Sequence, residues 1–302
     1  MTGAAGFIGS HLVDALLAQP GNEVVALDNL QRGTLSNLEP NETDRLRIVI
    51  ADIADRQAVD AAVRGAELVY HLAAQSNVMG AVADPRYSFE TNVTGSFNVL
   101  EAASANGVRR VVFTSSREVY GDALSLPVDE SQPLAPRNPY GASKAAAELY
   151  CDIFWRRFGL EVAILRLANV YGARDRDRVI PLWLERAAVG LALDVYGGDQ
   201  LIDFVPVALV VRALQRVSAV PFDGLPINIG SGIGTPLLDL ARRILDLHHR
   251  RGELRMLPSR DAEVRRFVAD VGRMRSLLGI EPPSDPLAEL SALARPTAAG
   301  KV

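Results

Sequence analysis

The sequence predicts an α/β fold built on a doubly wound parallel sheet, with a smaller C-terminal lobe. Short, nearly continuous apolar runs alternate with longer helical patterns through the first two-thirds of the chain. This alternation is typical of a parallel sheet covered on both faces by helices. Beyond Gly172 the alternation loosens. We therefore expect residues 1–172 to form the main domain and residues 173–302 mainly the lobe, with some segments returning to the main domain.

Six strands and seven helices are expected along the chain. Strands are assigned to β-branched runs bounded by turn residues, and helices to longer stretches with apolar residues at helical spacing. The expected strands cover residues 23–27, 47–51, 68–72, 108–115, 162–167 and 226–232. The expected helices cover residues 9–18, 55–64, 85–106, 139–158, 179–190, 205–217 and 235–248. Ligands of such a fold bind beyond the carboxyl ends of the strands.

The composition limits the class of protein. The chain has 302 residues, of which 48% are apolar and 23% charged, and its net charge of -4 is spread without long runs of one sign, so no nucleic-acid partner is expected. Its one cysteine, Cys151, has no partner for a disulfide, and no Cys and His spacing suggests a metal site. The sequence has no basic leader and no run of about 18 apolar residues, so it predicts a cytoplasmic protein with no membrane partner.

Gly3, Gly6 and Gly9 form a GxxGxxG turn at the start of the first helix. Glycine lets the backbone approach a diphosphate, and the free N–H groups of a helix start attract an anion. Asp28 ends the next strand, 19 residues after Gly9, where a carboxylate can accept a hydrogen bond from a ribose 2′-hydroxyl. Because a carboxylate disfavours a 2′-phosphate, the pattern indicates a Rossmann-like site for NAD rather than NADP. The alternative is a glycine-rich turn before an ordinary helix.

Three more residues stand where cofactor contacts fall in such a fold. Asp52 follows the second of the expected strands, and Ala73 and Ala74 follow the third. All three would then lie at the carboxyl edge of the sheet. Turn chemistry is the alternative explanation for Asp52, and helix packing for the two alanines.

Tyr140 and Lys144 lie one helical turn apart in the segment NPYGASK, so their side chains share a helix face. An ammonium beside a phenol favours the phenolate, so we expect Lys144 to lower the pKa of Tyr140 and make it a usable base. The chain has two lysines, Lys144 and Lys301, so chance is a poor explanation of the pair. Ser115 and Ser116 end the preceding strand, where a hydroxyl can bond a substrate alcohol or merely begin a turn.

These motifs together resemble the extended short-chain dehydrogenase/reductase family. Within it, the chain is most similar to the NAD-dependent sugar-nucleotide epimerases and dehydratases, especially the UDP-glucose 4-epimerase group. The similarity runs from residue 1 to about residue 280. It is carried by TGAAGFIGSHL, LDNL, HLAA, NVTGSFNVLEAA, SSREVYG, PYGASK, RLANVYG and RRFVADVGRMRSLLG.

The resemblance implies a mechanism in which bound NAD is recycled. Tyr140 takes the proton of the sugar 4-hydroxyl, Ser116 hydrogen-bonds the same hydroxyl, and Lys144 holds the nicotinamide ribose. Return of hydride to the other face of a 4-keto sugar then makes the protein a 4-epimerase of the UDP-glucose/UDP-galactose type. The implied cofactor-binding residues are Gly3, Gly6, Phe7, Ile8, Gly9, Asp28, Asn29, Asp52, Ile53, Leu72, Ala73, Ala74, Asn92, Tyr140 and Lys144. The family likeness also implies a homodimer formed through helices 85–106 and 139–158.

The substrate site is implied less completely. Asn169 in ANVYG matches a family residue that contacts the sugar nucleotide, and Ser116 belongs to the same site. Ile202 stands where relatives carry an arginine that contacts the diphosphate, and an apolar side chain cannot pair with phosphate. The remaining candidates for that contact are Arg174, Arg260, Arg265 and Arg266, of which Arg260 best matches the family's later arginine. Each could instead be a solvated surface charge.

Glu118 leaves a second reaction open. It matches the glutamate of 4,6-dehydratases and UDP-glucuronate decarboxylases, in which a carboxylate could move protons at C5 after C4 is oxidised. Dehydratases also place an aspartate just before it, where this chain has Arg117. Glu118 could equally be a structural charge at a helix edge.

The chain start is also unusual for the family. Met1 stands where the last residue of a first strand is expected, so that strand is nearly absent. We expect the true start to lie upstream, with Met1 reflecting a valine codon. A non-catalytic NAD-binding protein is the alternative that a missing strand and Ile202 favour, while intact Ser116, Tyr140 and Lys144 argue against it.

Overall fold

The computed structural model describes residues 1–41, 43–249 and 252–294. Its strands are β1 (Val24–Asp28), β2 (Leu46–Ile50), β3 (Leu68–His71), β4 (Arg110–Ser116), β5 (Glu161–Leu167), β6 (Asn169–Tyr171), β7 (Leu193–Tyr196), β8 (Leu201–Pro206), β9 (Ile227–Ile229), β10 (Gly234–Pro236), β11 (Leu254–Leu257) and β12 (Arg266–Phe267). Its α-helices are α1 (Phe7–Leu17), α2 (Arg56–Val63), α3 (Val78–Ala83), α4 (Pro85–Phe89), α5 (Ser96–Ala105), α6 (Pro139–Phe158), α7 (Val179–Ala188), α8 (Val207–Ala219), α9 (Leu237–Leu247), α10 (Gly272–Leu278) and α11 (Leu290–Leu293). No helix in these ranges has the length and apolar character needed to cross a membrane.

The main sheet is parallel, as the sequence predicts. β1 pairs with β2, and β3, β4, β5 and β9 pair in that order. Every residue of β4 is buried, because helices cover both faces of the sheet at its centre. Met1 and Thr2 lie between the two groups of strands, where Thr2 bridges Leu27 and His71 in parallel and the Met1 ammonium donates to the carbonyl of Val25 at 2.7 Å.

The C-terminal lobe contains short strands that the sequence analysis missed. β8 pairs with β10 and β12 of the lobe and with β6, which precedes residue 173, and β7 pairs with β11. These strands are two to six residues long and pair with distant segments, so local periodicity gives little sign of them. Segments after residue 172 also rejoin the main sheet, since β9 pairs with β5 and α8 packs against α1.

Several helix boundaries differ from those expected. α1 begins at Phe7 rather than residue 9, so Gly9 lies inside the helix. The helix expected over 85–106 is divided by a π-helical segment, Glu90–Gly95, and α3 precedes it unpredicted. The helices expected from 205 and 235 begin at Val207 and Leu237, because the residues before them belong to β8 and β10. Pro206 and Pro236, the last residues of those strands, have ψ angles of 142° and 133° and precede the first helical turn.

A buried ion pair ties α6 to the main sheet. Arg166 on β5 donates to both carboxylate oxygens of Glu148 on α6, with the shortest contact at 2.7 Å. The same guanidinium donates to the Tyr120 hydroxyl at 2.9 Å, and Tyr120 donates to Asn228 at 2.7 Å. Both members of the ion pair are almost fully buried, so each charge depends on its partner.

Glu148→Gln is expected to lower the free energy of unfolding by about 3–5 kcal/mol, because it leaves the Arg166 charge buried without its carboxylate. Asp152→Asn is the matched control, because Asp152 pairs with Arg156 at 2.7 Å on the exposed face of the same helix. That change should cost less than about 1 kcal/mol. Equal losses in denaturant titrations of the two variants would contradict the assignment.

Candidate active site

A cavity of about 1080 Å³ separates the carboxyl edge of the main sheet from the C-terminal lobe. Residues from the glycine turn and the ends of β1, β3 and β4 form one wall, and lobe residues such as Tyr196, Ile202 and Arg260 line the other. The predicted catalytic residues Ser116, Glu118, Tyr140 and Lys144 all line the same cavity. Residues distant in sequence thus meet where a doubly wound fold places its ligands.

Steric contacts explain the glycines of the first turn. Gly3 has φ +68°, and a Cβ there would lie 2.6 Å from the backbone nitrogen of Ala73. A Cβ on Gly9 would lie 2.0 Å from the Gly3 carbonyl oxygen. Larger residues would therefore push the turn away from the sheet or the helix away from the turn.

The start of α1 faces the cavity without a side-chain cap. Gly6 is the N-cap residue, and Gly6, Phe7, Ile8 and Gly9 line the cavity. The first backbone hydrogen bond of the helix runs from the Ser10 N–H to the Gly6 carbonyl at 3.0 Å. The N–H groups of the first turn have no acceptor within a helix, so they fit the diphosphate of a dinucleotide.

Asp28 lies at the end of β1 as predicted. Its carboxylate accepts hydrogen bonds from the Ala5 and Leu30 N–H groups, each at 2.9 Å, and it still lines the cavity. Asn29 beside it also lines the cavity and donates to Asp52 at 2.7 Å. Asp52 does not line the cavity, so it orients Asn29 from behind.

Asn92 likewise lies behind the cavity rather than in its wall. It accepts from the Gln75 N–H at 2.8 Å and donates to the Gln75 carbonyl at 3.0 Å. Its amide also donates to the Ser143 hydroxyl at 2.8 Å, and Ser143 donates to the Tyr140 carbonyl at 2.8 Å. Asn92 therefore couples the loop after β3 to the helix that carries Tyr140. Ile53, Leu72, Ala73 and Ala74 line the cavity.

Tyr140 and Lys144 lie on the first turns of α6 and are buried. Asn138 caps this helix by accepting from the Gly141 N–H at 2.8 Å. The Lys144 ammonium donates to the Thr114 carbonyl at 2.8 Å and lies 4.7 Å from the centre of the Phe113 ring. Burial lowers the pKa of Lys144 to about 8.

The pKa of Tyr140 is raised, contrary to the expectation from sequence. Burial raises it, and the Ser116 hydroxyl and the Arg178 guanidinium act only partly against that effect. The Lys144 ammonium makes its hydrogen bond to the Thr114 carbonyl instead. Desolvation of a phenolate outweighs a nearby cation here, and sequence spacing does not reveal burial.

Glu118 is buried beside Ser116. Its carboxylate lies 3.0 Å from the Arg117 guanidinium and accepts from the Asn138 amide at 2.8 Å. The Glu118 N–H donates to the Ser116 hydroxyl oxygen at 3.2 Å. Both oxygens of this carboxylate are thus occupied by the protein's own groups.

Four buried oxygen atoms in the cavity wall have no hydrogen-bond partner in the described parts of the chain. They are Gln75 Oε1, Ser115 Oγ, Asn169 Oδ1 and Asp175 Oδ2. Buried polar atoms are nearly always paired, so these acceptors fit a ligand rich in hydroxyl groups. Sequence analysis missed Gln75 and Asp175, although they follow the HLAA and NVYG motifs closely.

The arginines predicted for the substrate occupy different positions. Arg260 lines the cavity, with its guanidinium 3.7 Å from the centre of the Tyr196 ring and 3.2 Å from Glu263. Arg174 lines it too but pairs with Asp14 on α1 at 2.8 Å. Ile202 is buried in the lobe wall. Arg265 and Arg266 are not among the residues that line the cavity.

No group of three or more His, Cys, Asp or Glu residues among those described could hold a metal ion. The site instead combines an uncapped helix start, a carboxylate at the end of β1, and a Ser, Tyr and Lys set at the end of β4 and on α6. This combination defines an enzyme that binds a nicotinamide dinucleotide and transfers hydride to or from an alcohol carbon.

The chain belongs to the NAD dependent epimerase/dehydratase family, whose sequence pattern matches residues 1–230. The protein is therefore an enzyme with NAD as its cofactor. It is 37% identical over 285 residues to a putative UDP-glucose 4-epimerase from Methanocaldococcus jannaschii, a match that covers 92% of this chain and 91% of that protein. The family resemblance and the fold predicted from the sequence are thereby confirmed.

Solved structures of relatives share the whole fold. A UDP-glucose 4-epimerase from Thermotoga maritima with UDP-glucose superposes with a TM-score of 0.91 at 32% identity, covering 97% of this chain and 96% of that one. A dTDP-glucose 4,6-dehydratase from Streptomyces venezuelae with NAD bound gives 0.92 at 35% identity, covering 97% and 94%. Overall similarity therefore does not separate the two reactions.

Lys144→Met should raise the free energy of unfolding by about 2 kcal/mol at pH 7, because it removes a desolvated charge worth about 1.4 kcal/mol per pKa unit at the cost of one hydrogen bond. The wild-type amine has its pKa lowered from 10.5 to about 8 on folding. The unfolded wild type thus holds more protons between pH 8 and 10.5, and its stability rises with pH there.

The difference between variant and wild type should accordingly shrink across that pH range in denaturant titrations. The other titrating groups are common to both proteins, so the comparison isolates the pH dependence that the Lys144 charge adds. A stability difference that stays constant from pH 7 to 10.5 would refute the buried ammonium.

Proposed function

We propose that the protein is an NAD-dependent sugar-nucleotide 4-epimerase that interconverts UDP-glucose and UDP-galactose. One observation carries the proposal: Tyr140 and Ser116 line the cavity together, while the neighbouring Glu118 carboxylate is held by Arg117 and Asn138. Epimerisation at C4 needs one group that removes a proton and returns it. Elimination of water also needs an acid for the leaving hydroxyl. We also propose that the protein is cytoplasmic.

Bound NAD supplies reversible removal of hydride from C4 of the sugar. The protein's own residues handle the proton: Tyr140, as its phenolate, would accept the proton of the 4-hydroxyl as C4 is oxidised and give it back to the oxygen of the 4-keto sugar, and Ser116 would orient that hydroxyl. Burial raises the pKa of Tyr140, so the phenolate needs a cation beside it, a charge that Lys144 and oxidised NAD would supply. Lys144 stands ready to donate to the nicotinamide ribose, with the Thr114 carbonyl fixing its position.

The residues that we propose to bind the cofactor line the cavity or support the residues that do. The first turn of α1 would hold the diphosphate, Asp28 and Asn29 the adenosine ribose, and Ala73 and Ala74 would allow close approach at the end of β3. Asp52 and Asn92 act from behind by orienting Asn29 and Gln75.

The residues that we assign to the substrate lie at the lobe and at its boundary with the main domain. Asn169 and Arg260 line the cavity on that side, and we assign them to the sugar nucleotide. Ile202 offers no charge to the diphosphate, so Arg260 must leave Tyr196 and Glu263 to serve it. Arg174 lies 2.8 Å from Asp14, but its Nη1 atom has no hydrogen-bond partner among the described residues, so Arg174 stays a candidate for the diphosphate.

Glu118 favours one alternative, a 4,6-dehydratase or a UDP-glucuronate decarboxylase. Its carboxylate is buried at the cavity wall near Ser116, where a proton at C5 could be within reach. Arg117 stands where a dehydratase needs an acid, which makes elimination the weaker candidate. A non-catalytic NAD-binding protein would not need Ser116, Tyr140 and Lys144 together.

Purified protein incubated with UDP-glucose and no added cofactor should form UDP-galactose, and Tyr140→Phe should lower the rate by about 10²–10⁴-fold. Glu118→Gln is the matched comparison, and it should retain epimerase activity within about tenfold because the reaction needs no carboxylate. Mass spectrometry over a panel of UDP-, dTDP- and GDP-sugars checks this. A 4-keto-6-deoxy product, or carbon dioxide from UDP-glucuronate, lost in Glu118→Gln, would establish the alternative instead.

We also propose that the protein is a homodimer joined through α5 and α6. Leu149 and Ile153, one turn apart on α6, are 64% and 46% exposed. Tyr150 packs edge-on against Phe97 of α5 with ring centres 5.3 Å apart, so the exposed apolar side chains of the two helices are continuous. A contiguous exposed apolar face of this kind is typical of an interface.

Leu149→Glu combined with Ile153→Glu should convert the dimer to a monomer in analytical ultracentrifugation, because it places two charges in an apolar contact. Leu124→Glu is the control, because Leu124 is 80% exposed outside these helices. A wild-type monomer, or a double variant that stays dimeric, would contradict the proposed interface.

A further inference from the structure

The segment that joins β6 to α7, residues 173–178 with the sequence ARDRDR, lies against α1 of the main domain. His11 on α1 donates from Nε2 to the Ala173 carbonyl at 2.9 Å. One turn further along α1, Asp14 lies 2.8 Å from the Arg174 guanidinium. Arg174 has φ +66°, in the left-handed region that costs energy for a residue with a side chain. The contacts to α1 hold this conformation.

The other end of the segment contacts both sides of the glycine turn. The Arg178 guanidinium lies 5.4 Å from the centre of the Phe7 ring, at the first position of α1. Asp177 lies 3.0 Å from the guanidinium of Arg32, which belongs to the loop after β1. Arg32 also donates to the Ser76 hydroxyl at 3.3 Å, in the loop after β3. The segment thus spans the cavity from the helix start to the loop that follows Asp28.

An ion pair within the segment joins its middle to its end. Asp175 is almost fully buried and accepts from Arg178 at 3.2 Å. Five consecutive residues, Arg174 to Arg178, line the same cavity as Gly6 and Phe7. A ligand at the start of α1 therefore shares its cavity with this segment.

We propose that residues 173–178 form a clasp that closes over the diphosphate half of bound NAD and slows its dissociation, with Arg32 and Asp177 as the positioning residues that fasten it. The inference rests on the cofactor site proposed at the start of α1. An enzyme that removes hydride and returns it to the same sugar needs its cofactor to stay bound between the two steps. A clasp built from ion pairs meets that need.

Because Asp177 is negatively charged, its substitution distinguishes a clasp from a direct electrostatic effect on the diphosphate. If Asp177 acted only through its charge, its carboxylate would repel the diphosphate, and removing that charge would strengthen NAD binding by Coulomb's law. In the clasp, the same change releases Arg32 and speeds NAD dissociation. The two explanations predict opposite effects of Asp177→Asn.

The experiment follows the release of isotopically labelled NAD from holoenzyme after addition of excess unlabelled NAD. Asp177→Asn should raise the dissociation rate about threefold, in the range expected for loss of a partly exposed ion pair. Arg32→Gln should raise it at least as much. The exchanged pair, Arg32→Asp with Asp177→Arg, should return the rate to within about twofold of wild type. Glu67→Gln is the matched control, because Glu67 pairs with Arg109 at 3.2 Å with similar exposure, next to the amino ends of β3 and β4.

The outcomes separate the clasp from the cofactor site beneath it. Unchanged or slower release from Asp177→Asn, or an exchanged pair that releases NAD faster than either single variant, would overturn the clasp alone. Wild-type protein that binds no NAD would overturn both the proposed cofactor site and the clasp. An equal increase in Glu67→Gln would show a general loss of stability and would also overturn the clasp.

Discussion

The buried ammonium of Lys144 is the constraint around which the active site is arranged. A fully buried lysine is costly to desolvate, and this one is held by the Thr114 carbonyl and the face of the Phe113 ring, both at the carboxyl end of β4. The contact fixes α6 against β4, which places Tyr140 one turn away beside Ser116. On the next turn of α6, Glu148 secures the same helix to β5 through Arg166. Catalytic geometry and helix packing therefore depend on the same few polar contacts.

Sequence alone predicts much of this arrangement because the responsible patterns are local. The glycine turn, the carboxylate at the end of β1 and the Tyr and Lys spacing each lie within a few residues, and parallel topology brings strand ends together. Short lobe strands such as β10 and β12 escaped prediction because their pairing partners are distant in the chain. The predicted direction of the pKa shift at Tyr140 was wrong, because that direction depends on how deeply the side chain is buried.

The site predictions divide in a similar way. Residues at strand ends line the cavity, whereas Asp52 and Asn92 support it from behind, a distinction that depends on side-chain direction. Gln75 and Asp175 were missed because an amide or a carboxylate in a loop ordinarily faces solvent. Only the fold shows that their oxygens are buried at the cavity wall without a partner in the described residues. The same applies to the contacts of residues 173–178 with α1, which join segments more than 150 residues apart.

The frame shared with epimerases and dehydratases leaves the reaction to be decided by the groups beside Ser116. Because Arg117 and Asn138 contact the Glu118 carboxylate, we propose Tyr140 as the group that exchanges a proton with the sugar. The most direct test is to convert UDP-glucose deuterated at C4 in ordinary water and locate the label by nuclear magnetic resonance. Epimerisation through Tyr140 predicts UDP-galactose that keeps deuterium at C4. It also predicts that unlabelled UDP-glucose converted in deuterated water gains no deuterium at C5. Loss of the C4 label, or solvent hydrogen at C5, would contradict the account.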